Sequence, residues 1–145
     1  MSNSAYGGAG GSAAGGDLVG SYPNPTIKTG VRLTGQPEID AHYGAVTADT
    51  DAATINFDLS VTDKHTVTLG GNRTLNLTNM QNGQVALIEL VQDATGSRTV
   101  TWTPTIRWTG GTAPTLATAA SKADLLTIWR RADGTYVGAL SIPNY

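Results

Sequence analysis

The sequence predicts an all-β protein: an antiparallel β-sandwich of jelly-roll kind preceded by an extended N-terminal arm. Three observations carry this expectation. Past Gly44, apolar and polar residues alternate with the two-residue period of strands. Turn signals recur there at a spacing of roughly 8 to 12 residues. No stretch after Gly44 shows the apolar period of an ordinary helix. Many short strands without long crossovers favour a sandwich with antiparallel pairing.

The chain divides by composition into an arm, residues 1–44, and a β domain, residues 45–145. Met1 to Gly16 is rich in Gly and Ala, carries one aromatic residue, Tyr6, and reads as a linker that cannot build a core. From Asp17 to Gly35 the character changes. Pro23 and Pro25 fix their own dihedrals and push Tyr22 and Asn24 into extended conformations, so "GGDLVGSYPNPTIKTG" reads as a stiff peptide studded with apolar side chains. Asp17, Leu18, Tyr22, Pro23, Pro25 and Ile27 are its candidate docking residues. "GQPEIDAHYG" fits a single helical turn or a loop.

Strands follow in "TINFDLSV", "HTVTL", "TLNLT", "QVALIELVQD", "RTVTW", "TIRW", "ADLLTIWRR" and "TYVGALSI". "LGGNR" between the second and third has the Gly-Gly and Gly-Asn signature of a hairpin turn, and "ADG" between the last two has the Asp-Gly signature. "QVALIELVQD" is apolar at nearly every position, which predicts a strand covered on both faces, within a sandwich or at a subunit contact. Val85, Leu87, Glu89 and Val91 are the candidate contact residues. Oligomerisation would also cover the Thr-rich, charge-poor strand edges of so small a domain.

Composition removes several function classes. Charged residues are 14% of the chain, against ~25% in an average soluble domain, and the net charge is −2. The nine Lys and Arg form no basic stripe, so no nucleic-acid partner is expected. Without cysteine, thiolate chemistry and thiolate metal sites are impossible. No signal-peptide core or membrane-length apolar run is present, so no membrane insertion is expected and synthesis in the cytoplasm fits.

The residues offer little catalytic chemistry. His42 and His65 stand apart from one another and from any ligand-spaced partner, and His65 reads as an ordinary strand-end residue. Asp49 and Asp51 in "ADTDA" lack the remaining ligands of a calcium loop and read as turn acids. "NRT" and "NLT" read as turn and strand polars. Glu89, inside "LIEL", needs a partner such as Arg130 or Arg131, or a subunit axis with water. Of three tryptophans, Trp102 continues the inward alternation of Val100, whereas Trp108, beside "TGGTAPT", is the candidate exposed aromatic for stacking on a sugar. No enzyme, cofactor or metal is expected.

"GGDLVGSYPNPTI" resembles a motif, Gly-Gly-Asp-Leu-x-Gly-x-Tyr-Pro-x-Pro-x-(Ile/Val), that recurs in bacteriophage tail-fibre and head-fibre proteins. The stretches "LGGNRTLNLTNMQNGQVALIELVQDATGSRTVTW" and "WTGGTAPTLATAASKADLLTIWRRADGTYVGAL" are similar to a small β domain that often ends such proteins. The resemblance implies a homotrimeric, non-enzymatic virion component whose arm attaches to the particle or threads between subunits. The near-direct passage from arm to β domain favours a capsid decoration (cement) or head-fibre protein docking on the major capsid protein. The alternative is a tail-fibre or receptor-binding protein that contacts tail proteins and binds host-surface glycans through its C-terminal β domain.

Overall fold

The computed structural model describes residues 18–19, 26–27 and 44–145. The chain forms two compact units, Met1–His42 and Tyr43–Tyr145. In the first, β1 (Leu18–Val19) and β2 (Thr26–Ile27) pair antiparallel, with Leu18 opposite Ile27 and Val19 opposite Thr26. Within the arm segment read as extended, these two short strands pair with one another. Asp17, Tyr22, Pro23 and Pro25, and residues 35–43 of the stretch read as a helical turn or a loop, His42 included, lie outside the described residues.

The second unit is all-β. Its strands are β3 (Val46–Ala48), β4 (Thr54–Asp58), β5 (Lys64–Leu69), β6 (Arg73–Thr78), β7 (Val85–Gln92), β8 (Val100–Thr103), β9 (Ile106–Trp108), β10 (Ala123–Arg130) and β11 (Tyr136–Ile142). A six-stranded sheet has the order β3-β5-β7-β10-β11-β9, and a three-stranded sheet the order β4-β6-β8. Through β8 the chain alternates between the sheets. Because β3, β5 and β7 are mutually parallel, as are β4, β6 and β8, this part is a coil of three turns. Only β7 with β10 and β10 with β11 pair antiparallel, and β9 closes the far edge parallel to β11.

The expected all-β layered fold is therefore present, with mixed rather than purely antiparallel pairing. Alternation of side chains sets which face of a strand is buried, and it is identical for both pairing directions. "LGGNR" shows the consequence. The residues after Leu69 do not turn β6 back beside β5 as a hairpin; they carry the chain around a corner into the other sheet, where β6 lies next to β4. "ADG" does form the expected hairpin between β10 and β11, with Arg130 opposite Tyr136.

Alternate residues from both sheets meet between the layers. Ile55 and Phe57, Val67 and Leu69, Leu75 and Leu77, Ile88 and Leu90, and Leu126 and Ile128 form the core with Met80. Burying such side chains supplies ~1.5–3 kcal/mol each. Successive corners of the coil are fastened to one another. Arg73 donates to both carboxylate oxygens of Asp51, Nε at 2.7 Å and Nη2 at 2.5 Å, and its backbone N–H donates to Thr99 O. Asn72 Oδ1 accepts from Thr99 N, and Asn76 Nδ2 donates to Asn56 Oδ1 across the small sheet. Asn72 of "NRT" and Asn76 of "NLT" thus act as the expected turn and strand polars.

The third corner is closed by its own acid. Asp93 Oδ1 accepts from the N–H groups of Thr95 and Gly96, and Arg98 grips the same carboxylate through Nε and Nη2. The Arg98 hydrogen bond is the main reason that the Asp93 pKa falls to about 2. Asp124, buried on β10, accepts from Ala117 N at 2.6 Å and Asn144 N at 3.0 Å. One carboxylate thereby holds both the long β9–β10 connection and the end of the chain.

Candidate functional site

The outer face of the six-stranded sheet is built from residues whose neighbours along each strand enter the core. On β7, Ala86, Ile88, Leu90 and Gln92 are buried, whereas Val85, Leu87, Glu89 and Val91 point outward. The four expected contact residues thus share one face, and β7 is covered by protein on its inner side only. Register extends that face across the sheet. Val85 lies opposite Trp129, Leu87 opposite Thr127, Glu89 opposite Leu125 and Val91 opposite Ala123. On the other side Lys64 neighbours Leu87, and Thr66 neighbours Glu89. Val46 is 62% exposed and Val85 46%.

Glu89 is the charged centre of this face. Its partners are not Arg130 or Arg131 but Thr66 Oγ1, which donates to Oε2 at 2.6 Å, and the phenol of Tyr145, which donates to Oε1 at 2.6 Å. Both donors favour the carboxylate, Thr66 most, and they hold Glu89 below its usual pKa of 4.5. Partial desolvation of the phenol, reinforced by the Glu89 hydrogen bond and charge, pushes Tyr145 up to about 12. Arg130 instead points inward, donating to Met80 O and lying over the Tyr136 ring. Arg131 pairs with Asp133. A hollow of about 230 Å³ next to Glu89 is lined by Val46, Leu87, Leu125 and Tyr145 among others.

Toward the β9 edge the face carries a groove of about 440 Å³. Trp129 and Val137 of the β10–β11 hairpin line it, with Arg107 and Trp108 of β9 and the adjacent Thr109. The expected exposure of Trp108 is corrected here. Trp108 is half-buried and meets Trp102 edge-to-face, ring centroids 5.4 Å apart. Its ring occupies the space that a side chain on Gly138 would fill, since a Cβ there would lie 2.8 Å from Cζ3. Trp102 packs against the core as expected. The exposed tryptophan is Trp129. Its position out of phase with the inward Leu126 and Ile128 was the sequence signal for it.

The polar pairs elsewhere are structural. Buried His65 brings Nδ1 to 2.8 Å from Asp49 Oδ2 and Nε2 to 3.3 Å from Thr62 O. Parallel pairing of β3 with β5 creates this contact by setting Thr47 opposite His65, a relation that linear spacing conceals. Asp51 is occupied by Arg73. Among the described residues no group of three or more His, Cys, Asp or Glu could hold a metal ion, and no helix is long and apolar enough to cross a membrane.

The family described as "Putative phage tail fibre C-terminal domain" matches residues 45–135, well over half of the chain and nearly the whole β domain. No curated protein matches and no solved structure matches.

Proposed function

The chain belongs to this family of phage tail fibre C-terminal domains and is a phage structural fibre protein; from that premise we propose that it serves as the terminal β domain of a tail-fibre assembly. The family match over residues 45–135 carries the reading. It names a tail fibre and offers nothing specific for capsid decoration. We further propose that the domain assembles as a homotrimer, without enzymatic activity, through the outer face of the six-stranded sheet around Val85, Leu87, Glu89 and Val91. Those residues supply an apolar face with one polar centre whose hydrogen-bonding groups are already paired. In this reading the arm, including Leu18 and Ile27, connects the domain to the virion.

Copies per particle, measured by quantitative gel densitometry of purified virions, test the location. A handful to a few dozen copies fits a tail fibre. Hundreds of copies would place the protein on the head and overturn the reading. Sedimentation equilibrium of the isolated protein tests the assembly state, with a mass of three chains expected and a monomer at all concentrations refuting it.

A further inference from the structure

We propose that the groove between Trp129 and Arg107 binds a pyranose bearing an anionic substituent, a carboxylate or a phosphate. Its volume of about 440 Å³ lies within the range of small-ligand clefts. Apolar surface dominates its wall, with a few polar groups at fixed positions, the usual composition of a site that orients a small molecule. Trp129, 45% exposed, presents an aromatic surface that no core residue covers. Its π face is electron-rich and attracts the polarised C–H bonds on the apolar side of a sugar ring. Val137, directly opposite in register, extends that platform.

Arg107 fixes the charge of the ligand. It projects from the edge strand β9, opposite Val137, with an exposed side chain. Among the described residues it makes no ion pair. Asp133 is near enough for Arg107 to lower its pKa slightly, but its oxygens are taken by Thr135 N, Thr135 Oγ1 and Arg131 Nη1. The planar guanidinium is therefore free to grip an incoming carboxylate or phosphate with two parallel hydrogen bonds. Thr127 and Thr109 add hydroxyls along the wall, with Thr127 Oγ1 held 2.6 Å from Ser141 Oγ. Beyond Thr109, Gly110 and Gly111 take φ of 80° and 84°, and no atom lies within 4 Å of where their Cβ would be.

The experiment is calorimetric titration of the full chain with glucuronic-acid oligosaccharides, mannose 6-phosphate and uncharged gluco-oligosaccharides. Saturable binding of an acidic sugar is expected with a Kd of about 0.1–1 mM. The tighter of the two acidic probes identifies the anionic group. Trp129→Ala should weaken every sugar about tenfold or more, and Trp129→Phe should recover part of that loss. Arg107→Gln should weaken only the acidic probes, to the level of the uncharged ones. Lys122→Gln, a charge change on the exposed turn before β10, should leave binding unaltered. Thermal melts confirm that each variant is folded.

Equal affinity for charged and uncharged sugars would overturn the proposal, as would a Lys122→Gln effect matching that of Arg107→Gln. Absence of saturation at roughly ten times the expected Kd would do the same. Copy number and assembly state are read independently, so the failure of this site and the failure of the tail-fibre reading are distinguishable.

Discussion

Tyr145 donates its phenolic hydrogen to Glu89 Oε1 across 2.6 Å, although 56 residues separate the two in sequence. Backbone hydrogen bonds in both directions between Tyr145 and Ala123 hold the donor in place. Tyr145→Phe removes one of two side-chain donors from Glu89 and leaves Thr66. The expected loss is ~0.5–1.5 kcal/mol of stability, measured as a lower urea midpoint with an unchanged slope. An unaltered midpoint would show that water replaces the phenol without cost.

Gly138→Ala should be more damaging than its size suggests. The new methyl group would stand 2.8 Å from Trp108 Cζ3 and 3.0 Å from Ile106 Cγ2. Trp108 must yield, and its edge-to-face contact with Trp102 must yield with it. A loss of ~1–3 kcal/mol is expected, together with a changed near-ultraviolet circular dichroism spectrum. Retention of both the spectrum and the stability would refute the packing argument.

Acid should weaken the fold in a defined window. Asp93, held at about 2 chiefly by Arg98, and Glu89, held below 4.5 chiefly by Thr66, both have folded pKa values depressed from their usual positions. Each contributes stability that is complete above its unfolded value and is lost as pH falls through the folded one. For Asp93 that interval runs from 3.8 down to about 2. Urea midpoints should fall from about pH 5 to about pH 2, and Asp93→Asn should flatten the lower part of the decline.

Asp124→Asn tests the buried clasp. An amide nitrogen cannot accept, so either Ala117 N or Asn144 N loses its partner. The expected cost is ~1–3 kcal/mol. Hydrogen exchange should quicken at whichever amide is released, before any global unfolding.

Leu87→Lys places a charge in the middle of the outer face without touching the core. If that face joins subunits, sedimentation should shift to the monomer while the far-ultraviolet spectrum stays unchanged. An intact oligomer would move the interface elsewhere.

Much of this was legible in the sequence because side-chain alternation reports burial directly. "VALIELVQ" gave the inward and outward sets of β7, and "ADG" gave the hairpin. Pairing direction was not legible, since parallel and antiparallel strands share a period of two. That ambiguity hid the coil and the corner at "LGGNR", and it hid the meeting of Asp49 with His65. The site was half legible for the same reason. Val85, Leu87, Glu89 and Val91 lie in one strand and could be grouped by counting. The groove joins Arg107 to Trp129 through the register of three strands, which no local pattern encodes.

The three-turn coil has a bearing on how such a domain diversifies. Each turn contributes one strand to each sheet, and the corners stacked along one side of the coil are buckled together by pairs such as Asp51 with Arg73 and Asn72 with Thr99. A duplicated turn would lengthen both sheets by one strand spacing, ~4.8 Å, while leaving the packing of every existing layer in register. Gene segments the size of one turn are thus natural units of exchange, whereas breakpoints between β10 and β11 would split a hairpin that lies outside the coil.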